Sequence, residues 1–235
     1  MQDFIKSIQK RDPAQPTFFE VILAYPGFHA VGMHRVSNFL WKQNLRALAR
    51  FWAHLSRWVT GIEIHPGATI GKNLFIDHGM GVVIGQTAII GDNVTMYQGV
   101  TLGGKGGTEK PIKRHPTIED GAIIGAGAQI LGDITVGKNA KVGASSIVTG
   151  DVPAGCTVVG NPARLVKCKK GDEGKAYGLP RHLVDPVAEA ISGLMEDVEA
   201  LKEKTGLEPK KAKKKKANDN EDDGTYSDHW KGSGI

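Results

Sequence analysis

An apolar residue returns at every sixth position from Ile64 to Val100 and again from Ile118 to Val148, and this period constrains the fold more than any other feature of the sequence. An amphipathic helix repeats about every 3.6 residues and a half-buried strand about every two, so neither element explains the period. The repeat itself must therefore be the structural unit. The positions are Ile64, Ile70, Ile76, Val82, Ala88, Val94, Val100, Ile118, Ile124, Ile130, Val136, Val142 and Val148.

The two blocks of this repeat share one phase, because the gap from Val100 to Ile118 is a multiple of six. The 31 glycines suit a chain that turns a corner every few residues. We therefore predict a mainly β protein built on a left-handed parallel β-helix of hexapeptide repeats. The fourth position after the repeat residue is often apolar or small as well, as in Ala68, Leu74, Met80, Ala122, Ala128, Ile134 and Ala140.

Helical segments are predicted on either side of the β-helix. Residues 1–61 form a small N-terminal helical domain, because apolar residues recur at threes and fours over 28–41 and 45–59. This domain is expected to cover the end of the β-helix, where an unpaired edge and apolar side chains would otherwise face water. The β-helix occupies residues 62–167, and a loop over 103–117 is extruded from it.

The C-terminal part is predicted to be a helix followed by a disordered tail. Within residues 168–207, apolar side chains from Val184 to Leu201 alternate at spacings of three and four. This pattern fits either a helix packed on its own chain or a short trimeric coiled coil. Residues 208–235 are rich in lysine and then in acidic residues, which indicates a flexible charged tail ending in Ile235.

The net charge does not indicate a nucleic-acid partner. The formal charge is +5, and it falls to −1 without the six lysines between 210 and 216. A nucleic-acid surface would spread its basic residues over one face among aromatic ones, so we expect no nucleic-acid binding.

The chain is expected to be cytoplasmic. Its first dozen residues are charged at Asp3, Lys6, Lys10, Arg11 and Asp12, which leaves no apolar signal core, and no apolar run is long enough to span a bilayer. The two cysteines lie in a chain large enough not to need a disulfide, so a reducing compartment is expected.

The glycine-rich stretch over 103–107 interrupts the repeat. Four of its five residues are glycine and cannot contribute core side chains, so an excursion from the coil is expected. Two interpretations stand: a flexible surface loop, or backbone amides that approach a phosphate or a thioester oxygen closely. A Walker loop is excluded because the Gly-Lys-Ser/Thr ending is absent.

Candidate catalytic residues surround this loop. Glu63 begins the repeat, Asp77-His78 lies within it, and Arg114-His115 closes the loop. A histidine with a carboxylate partner can act as a general base near neutral pH. The opposite charges of Asp77 and Arg114 suit the ammonium and the carboxylate of an amino-acid substrate.

These residues lie in motifs that resemble the serine O-acetyltransferase family over about residues 8 to 167. Hexapeptide repeats alone are shared by many acyltransferases, whereas the Asp-His and Arg-His-Pro groups on either side of this glycine loop are specific. The motifs are Arg11-Asp12-Pro13-Ala14, Tyr25-Pro26-Gly27-Phe28-His29-Ala30, Glu63-Ile64-His65-Pro66-Gly67-Ala68, Ile76-Asp77-His78-Gly79, Val83-Ile84-Gly85-Gln86-Thr87-Ala88, Tyr97-Gln98-Gly99-Val100-Thr101-Leu102-Gly103-Gly104 and Arg114-His115-Pro116.

The resemblance implies acetyl transfer from acetyl-CoA, as co-substrate, to the hydroxyl of L-serine in cysteine biosynthesis, with no metal. By similarity His78 is the general base and Glu63 orients its imidazole. Further residues match binding positions: Asp12, Asp77, Arg114 and His115 for serine, and Gly103, Gly104, Ala126 and Gly127 along the CoA arm.

The resemblance also implies partners. The family's better-known bacterial members carry Asp at the position of Glu63, and a longer helical N-terminus that joins two trimers. This chain has about 60 residues before the β-helix, so we expect a homotrimer and leave a hexamer open. Ile235 matches the family's terminal isoleucine, which enters the active site of O-acetylserine sulfhydrylase, and an apolar anchor with a free carboxylate suits that capture.

Two other functions are carried forward from the sequence. One is a hexapeptide acetyltransferase for a sugar or another amine, favoured if Asp12, Asp77 and Arg114 do not converge. The other is a scaffold or regulator that acts through its tail. A γ-type carbonic anhydrase is disfavoured because the repeat contains no His-x4-His pair.

Overall fold

The computed structural model describes residues 2–106, 113–168, 193–198 and 200–202. Four helices precede fifteen short strands. The helices are α1 (Gln2–Arg11), α2 (Phe18–Ala24), α3 (Pro26–Lys42) and α4 (Arg46–Thr60). The strands are β1 (Glu63–Ile64), β2 (Thr69–Ile70), β3 (Phe75–Ile76), β4 (Val83–Ile84), β5 (Ile89–Ile90), β6 (Thr95–Met96), β7 (Thr101–Gly103), β8 (Thr117–Ile118), β9 (Ile123–Ile124), β10 (Gln129–Leu131), β11 (Thr135–Val136), β12 (Lys141–Val142), β13 (Ile147–Val148), β14 (Thr157–Val159) and β15 (Arg164–Lys167).

The strands wind into a left-handed parallel β-helix with three faces, which confirms the predicted fold. Sheet A contains β1-β4-β7-β10-β13, sheet B contains β11-β8-β5-β2, and sheet C contains β15-β14-β12-β9-β6-β3. From β4 to β13, each strand stacks on the strand that lies three before it in the chain. Each of these coils therefore places one strand on each face. The stacked inward side chains form one continuous apolar core.

The single phase predicted for the repeat is wrong from Val82 to Val100, and it is correct again from Ile118 to Val148. Ile76 is a strand residue of β3, but Val82 lies at a corner, and Ile84 of β4 is the residue that stacks on Ile64. The corner over 77–82 is two residues longer than the corners over 97–100 and 125–128. Both sets of positions are buried and both repeat every six residues, so the slip is hidden in the sequence.

The first coil is covered by the helical segment. Helix α3 packs on β1 and β3, and a Cβ at Gly27 would lie 2.2 Å from the carbonyl oxygen of Ile76, so glycine permits this close approach. Helix α4 ends at Gly61, which has a left-handed φ of 71°. The described residues through 168 lie in one compact unit, and those of 193–202 belong to a second.

Much of the apolar surface of α3 and α4 faces outward. Phe39, Phe51 and Trp58 are 61%, 64% and 80% exposed, whereas the buried residues of α4 are the small Ala49, Ser56 and Thr60. The apolar spacing that predicts these helices therefore does not pack their large side chains into the core of this chain.

The sequence predicts no need for a disulfide, but the two cysteines form one. Strand β15 returns antiparallel on β14 and pairs Lys167 with Thr157. The next residues along the two strands, Cys168 and Cys156, therefore face each other. The sequence hides this contact because the reversal after residue 160 depends on a turn rather than on the repeat.

The C-terminal predictions are only partly described by the structure. Residues 193–198 and 200–202 are helical, and Leu194, Val198 and Leu201 are exposed. The lysine-rich stretch over 210–216 and Ile235 lie outside the described residues. Within the part of the chain that is described, no helix is long and apolar enough to cross a membrane.

Candidate active site

The predicted site residues lie on two different edges of the β-helix. The His78 column consists of the corners between sheets C and A, over residues 77–82, 97–100, 125–128 and 143–146. The His115 column consists of the corners between sheets A and B, over residues 65–68, 85–88, 104–116 and 132–134.

The longer corner of the His78 column places Asp77 and His78 on the surface of the first coil. His78 has a φ of 58°, and the N–H of Gly79 donates to the carbonyl of Asp77 in a tight turn. A positive φ on a non-glycine residue stores local strain, which is often found at functional sites. The imidazole is 57% exposed, and its Nε2 lies 3.9 Å from Oδ2 of Asp77.

Asp12 is held beside this corner by the helical segment. It is 9% exposed, its Oδ1 accepts from the N–H of Ala14 at 2.8 Å, and its Oδ2 accepts from the hydroxyl of Tyr25 at 2.5 Å. Burial and the nearby Asp12 raise the pKa of Asp77, while His78 opposes that rise. Burial, the Asp12 hydrogen bond and both carboxylates raise the pKa of Tyr25. Asp12, Tyr25 and Asp77 therefore form one acidic cluster.

Arg11 fixes the position of Asp12 from the adjacent residue. Its guanidinium donates to the backbone carbonyls of Asn73, Asn93 and Val94, and to the hydroxyl of Thr95. Four contacts to two coils anchor the end of α1 on the β-helix. The sequence does not reveal Arg11 and Tyr25 as supports of the site, although both lie in motifs shared with the family, because the partners of Arg11 are distant in sequence and Tyr25 reaches Asp12 only through the fold.

In the His115 column, the histidine ring is nearly buried. His115 is 6% exposed, and its ring covers Gly85, where an added Cβ would lie 1.9 Å from Cδ2. Gly104 adjoins the same ring, with its Cβ position 3.1 Å from Nε2. Burial, then Arg114 and Lys113, lower the pKa of His115, which favours the neutral ring.

Cationic side chains surround the His115 column. Burial, then Arg50, His115, Arg114 and Arg46, lower the pKa of His65 to about 4. Trp41 contacts the His65 ring edge-to-face at 4.9 Å between centroids. The arginines and the neutral histidine rings form a surface suited to an anion such as a carboxylate.

Glu63 and His78 are not paired in this chain. The carboxylate of Glu63 forms an ion pair with Nη1 of Arg57 at 2.9 Å, and both side chains are about half exposed. The predicted orienting role of Glu63 therefore stays a prediction.

The four predicted CoA residues are divided between the columns. Gly103 ends β7 and Gly104 follows it beside His115, whereas Ala126 and Gly127 lie in the His78 column. In that column the N–H of Gly99 donates to the carbonyl of Met80, and the N–H of Gly127 donates to the carbonyl of Gln98. These hydrogen bonds join corners of successive coils. Residues 107–112 of the loop lie outside the described residues.

Clustered metal ligands are not found in the part of the chain described. No group of three or more His, Cys, Asp or Glu side chains within it could hold a metal ion.

A parallel β-helix of hexapeptide coils with a histidine and carboxylates at its corners defines the class of hexapeptide-repeat acyltransferases. Residues 115–150 match the family model described as bacterial transferase hexapeptide (six repeats). Over 202 residues the chain is 50% identical to serine acetyltransferase from Bacillus subtilis (strain 168), covering 86% of this chain and 92% of that protein. The chain belongs to the serine acetyltransferase family.

Other relatives agree with this assignment. Serine acetyltransferase from Synechococcus elongatus is 54% identical over 159 residues, which cover 68% of this chain and 64% of that protein. The structure of soybean serine acetyltransferase complexed with serine superposes with a TM-score of 0.66 at 49% identity, covering 69% of this chain and 66% of that one. The Neisseria gonorrhoeae serine acetyltransferase structure has a TM-score of 0.68 at 44% identity, covering 71% of this chain and 64% of that one.

Proposed function

We propose that this chain transfers the acetyl group of acetyl-CoA to the hydroxyl of L-serine, giving O-acetyl-L-serine and CoA for cysteine biosynthesis. The observation that carries the proposal is the acidic cluster beside an exposed histidine, in which Asp12 lies near Asp77 and Asp77 lies near His78. Two carboxylates suit a substrate ammonium, and His78 is within reach of a hydroxyl on the same small molecule.

His78 acts as the general base. Its imidazole takes the proton of the serine hydroxyl while the serine oxygen attacks the thioester carbonyl carbon. The tetrahedral adduct then breaks its C–S bond, and the proton on His78 passes to the departing CoA sulfur. The thioester is already activated, so the proposed reaction needs no metal and no acyl-enzyme, only positioning and proton transfer.

Glu63 orients His78 in this proposal after leaving its partner Arg57. An ion pair between two half-exposed side chains is worth at most about 1 kcal/mol, so substrate binding easily offsets its loss. The amino group of serine faces Asp12 and Asp77, and its carboxylate faces Arg114 and His115.

Acetyl-CoA lies along glycine-lined corners. In the His78 column a Cβ at Gly99 would lie 3.4 Å from the Cα of Gly127, so the ridge is free of side chains there. An extended pantetheine arm could follow this ridge, with Ala126 and Gly127 about two coils from His78, or roughly 10 Å. Gly103 and Gly104 would contact the same co-substrate from the other column.

A homotrimer unites the two columns. Asp77-His78 and Arg114-His115 lie at opposite edges of sheet A in one chain, so a complete site needs the His78 column of one protomer and the His115 column of its partner. The exposed Val83 of sheet A and Met80 at its edge would be covered in the assembly. A hexamer would require a further contact between trimers.

Two proposals concern features beyond the site. The C-terminal Ile235, outside the described residues, binds O-acetylserine sulfhydrylase, and deletion of Gly234 and Ile235 should abolish that binding.

The protein acts in the cytoplasm, because the proposed co-substrate is a metabolite of the cell interior. Cell fractionation with an antibody tests this location.

The activity is tested by supplying acetyl-CoA with L-serine and following CoA release with a thiol reagent and O-acetylserine by mass spectrometry. The expected result is serine-dependent CoA release. If the purified protein acetylates an amino sugar and not L-serine, the chain is instead an acetyltransferase for another acceptor.

A further inference from the structure

His115 is oriented by contacts that come almost entirely from one residue. The side chain of Thr87 lies on the coil before His115, two residues after Gly85, whose missing side chain leaves room for the imidazole. Oγ1 of Thr87 lies 2.8 Å from Nδ1 of His115. The backbone N–H of Thr87 also donates to Nδ1, at 3.3 Å.

Only one arrangement of hydrogen bonds satisfies the Thr87 hydroxyl and its three polar neighbours. It accepts from the N–H of Arg114 at 3.0 Å and from the N–H of His115 at 3.1 Å. A threonine hydroxyl has two lone pairs and one hydrogen, so these two donors occupy its acceptor capacity. Its own hydrogen must therefore be donated to Nδ1 of His115.

The protonation of the imidazole follows from this count. Nδ1 receives two hydrogen bonds and carries no hydrogen, so the hydrogen of the neutral ring lies on Nε2. If Nδ1 were protonated, its N–H would face Oγ1 of Thr87, whose two lone pairs already accept from the N–H groups of Arg114 and His115. Burial and the adjacent Lys113 and Arg114 act in the same direction, because they lower the pKa of His115.

We propose that Thr87 is a positioning residue that holds His115 as the neutral tautomer with hydrogen on Nε2, so that His115 donates to a substrate oxygen and does not act as a base. The inference rests on the proposed function for the identity of that substrate. It divides the labour between the histidines: His78 is exposed and accepts the proton, whereas His115 is buried and donates throughout the reaction.

The tautomer is tested directly by NMR on protein labelled with ¹⁵N-histidine, with the His115 signals assigned by their loss in His115→Gln. In the unsubstituted protein we expect the pattern of a hydrogen on Nε2 and a bare Nδ1 at pH 7. In Thr87→Val, which removes the hydroxyl and keeps the shape, a mixture with the other tautomer or with imidazolium is expected. Thr87→Ser keeps the hydroxyl and should restore the original pattern.

Kinetics provide the second measurement. Thr87→Val should lower kcat/KM for L-serine by about 5- to 50-fold, the worth of one or two misplaced hydrogen bonds, with a smaller change in the KM for acetyl-CoA. Thr87→Ser should recover most of it. Thr69→Val, on an exposed threonine of β2, is the matched control and should behave like the unsubstituted protein.

Each outcome bears on the proposal. A hydrogen on Nδ1 in the unsubstituted protein overturns it, and so does a Thr87→Val protein with an unaltered His115 pattern. A Thr87→Val protein that loses thermal stability but keeps the Nε2 tautomer shows a structural role alone, which also overturns it. The NMR result does not depend on the acceptor, so failure to acetylate L-serine would contradict the proposed function and leave the tautomer assignment standing.

Discussion

The hydroxyl of Tyr25 donates to Oδ2 of Asp12 at 2.5 Å, which links the start of α3 to a carboxylate that follows α1. Both residues come from the helical segment, yet they support the acidic cluster at the edge of the β-helix. The helical segment therefore does more than cover the first coil, since it completes the proposed serine site.

Replacing Tyr25 by Phe should weaken serine binding. Asp12 would lose a hydrogen bond to a charged acceptor, worth about 1.5–3 kcal/mol, so the KM for L-serine should rise by about 10- to 100-fold. The KM for acetyl-CoA serves as the internal control and should change little. Equal changes in both constants would indicate a general loss of structure instead.

Replacing His78 by Ala tests the general base. We expect kcat to fall by about two to four orders of magnitude, the usual contribution of such a group. The exposed imidazole contributes little to packing, so the melting temperature should stay near that of the unsubstituted protein. A tenfold loss or less would be too small for the assigned role.

Mixing two inactive variants tests whether the site lies between protomers. His78→Ala and Arg114→Ala should each be nearly inactive alone. If each site of a trimer takes His78 from one chain and Arg114 from its neighbour, equal co-expression should restore about one quarter of the sites. Mixed assemblies purified by two different tags should therefore regain activity, whereas sites within single chains would give none.

Replacing Gly85 by Ala should displace the His115 ring. The added Cβ would lie 1.9 Å from a ring carbon, so the imidazole has to move, and a shift of this size costs about 10- to 100-fold in kcat/KM. Gly32→Ala in α3 is the matched control, because nothing lies within 4 Å of its added Cβ. That variant should keep full activity and gain stability of up to about 1 kcal/mol. Equal activity in both variants would rule out tight packing of His115.

His34 should make the protein less stable in acid. It is 5% exposed, its Nδ1 lacks a partner among the described residues, and burial is the main cause that lowers its pKa from 6.5 to about 4. The unfolded chain binds this proton more readily, so its contribution is complete above about pH 6.5 and is lost as the pH falls toward 4. The loss is on the order of 3 kcal/mol.

Urea unfolding at fixed protein concentration between pH 4.5 and 7.5 measures this effect. His34→Gln does not titrate, so its free energy of unfolding should fall less steeply with acid than that of the unsubstituted protein. Parallel curves for the two proteins would show that His34 is not the group responsible.

The sequence by itself determined the β-helix and indicated the residues of the proposed site. Apolar side chains at a six-residue period can only be buried by winding the chain into stacked coils, and that constraint is local enough to read from the residues. The motifs around Asp77-His78 and Arg114-His115 likewise indicated the family before any contact was known.

The tertiary structure decided the phase, the pairing and the division of the site. The two extra residues in the corner over 77–82 left the six-residue period intact, so the coil that displays His78 could be recognised only from strand pairing. The contacts of Tyr25 with Asp12 and of Thr87 with His115 join residues 13 and 28 positions apart. Such contacts depend on which coil stacks on which, and so does the separation of His78 and His115 onto two edges of the β-helix.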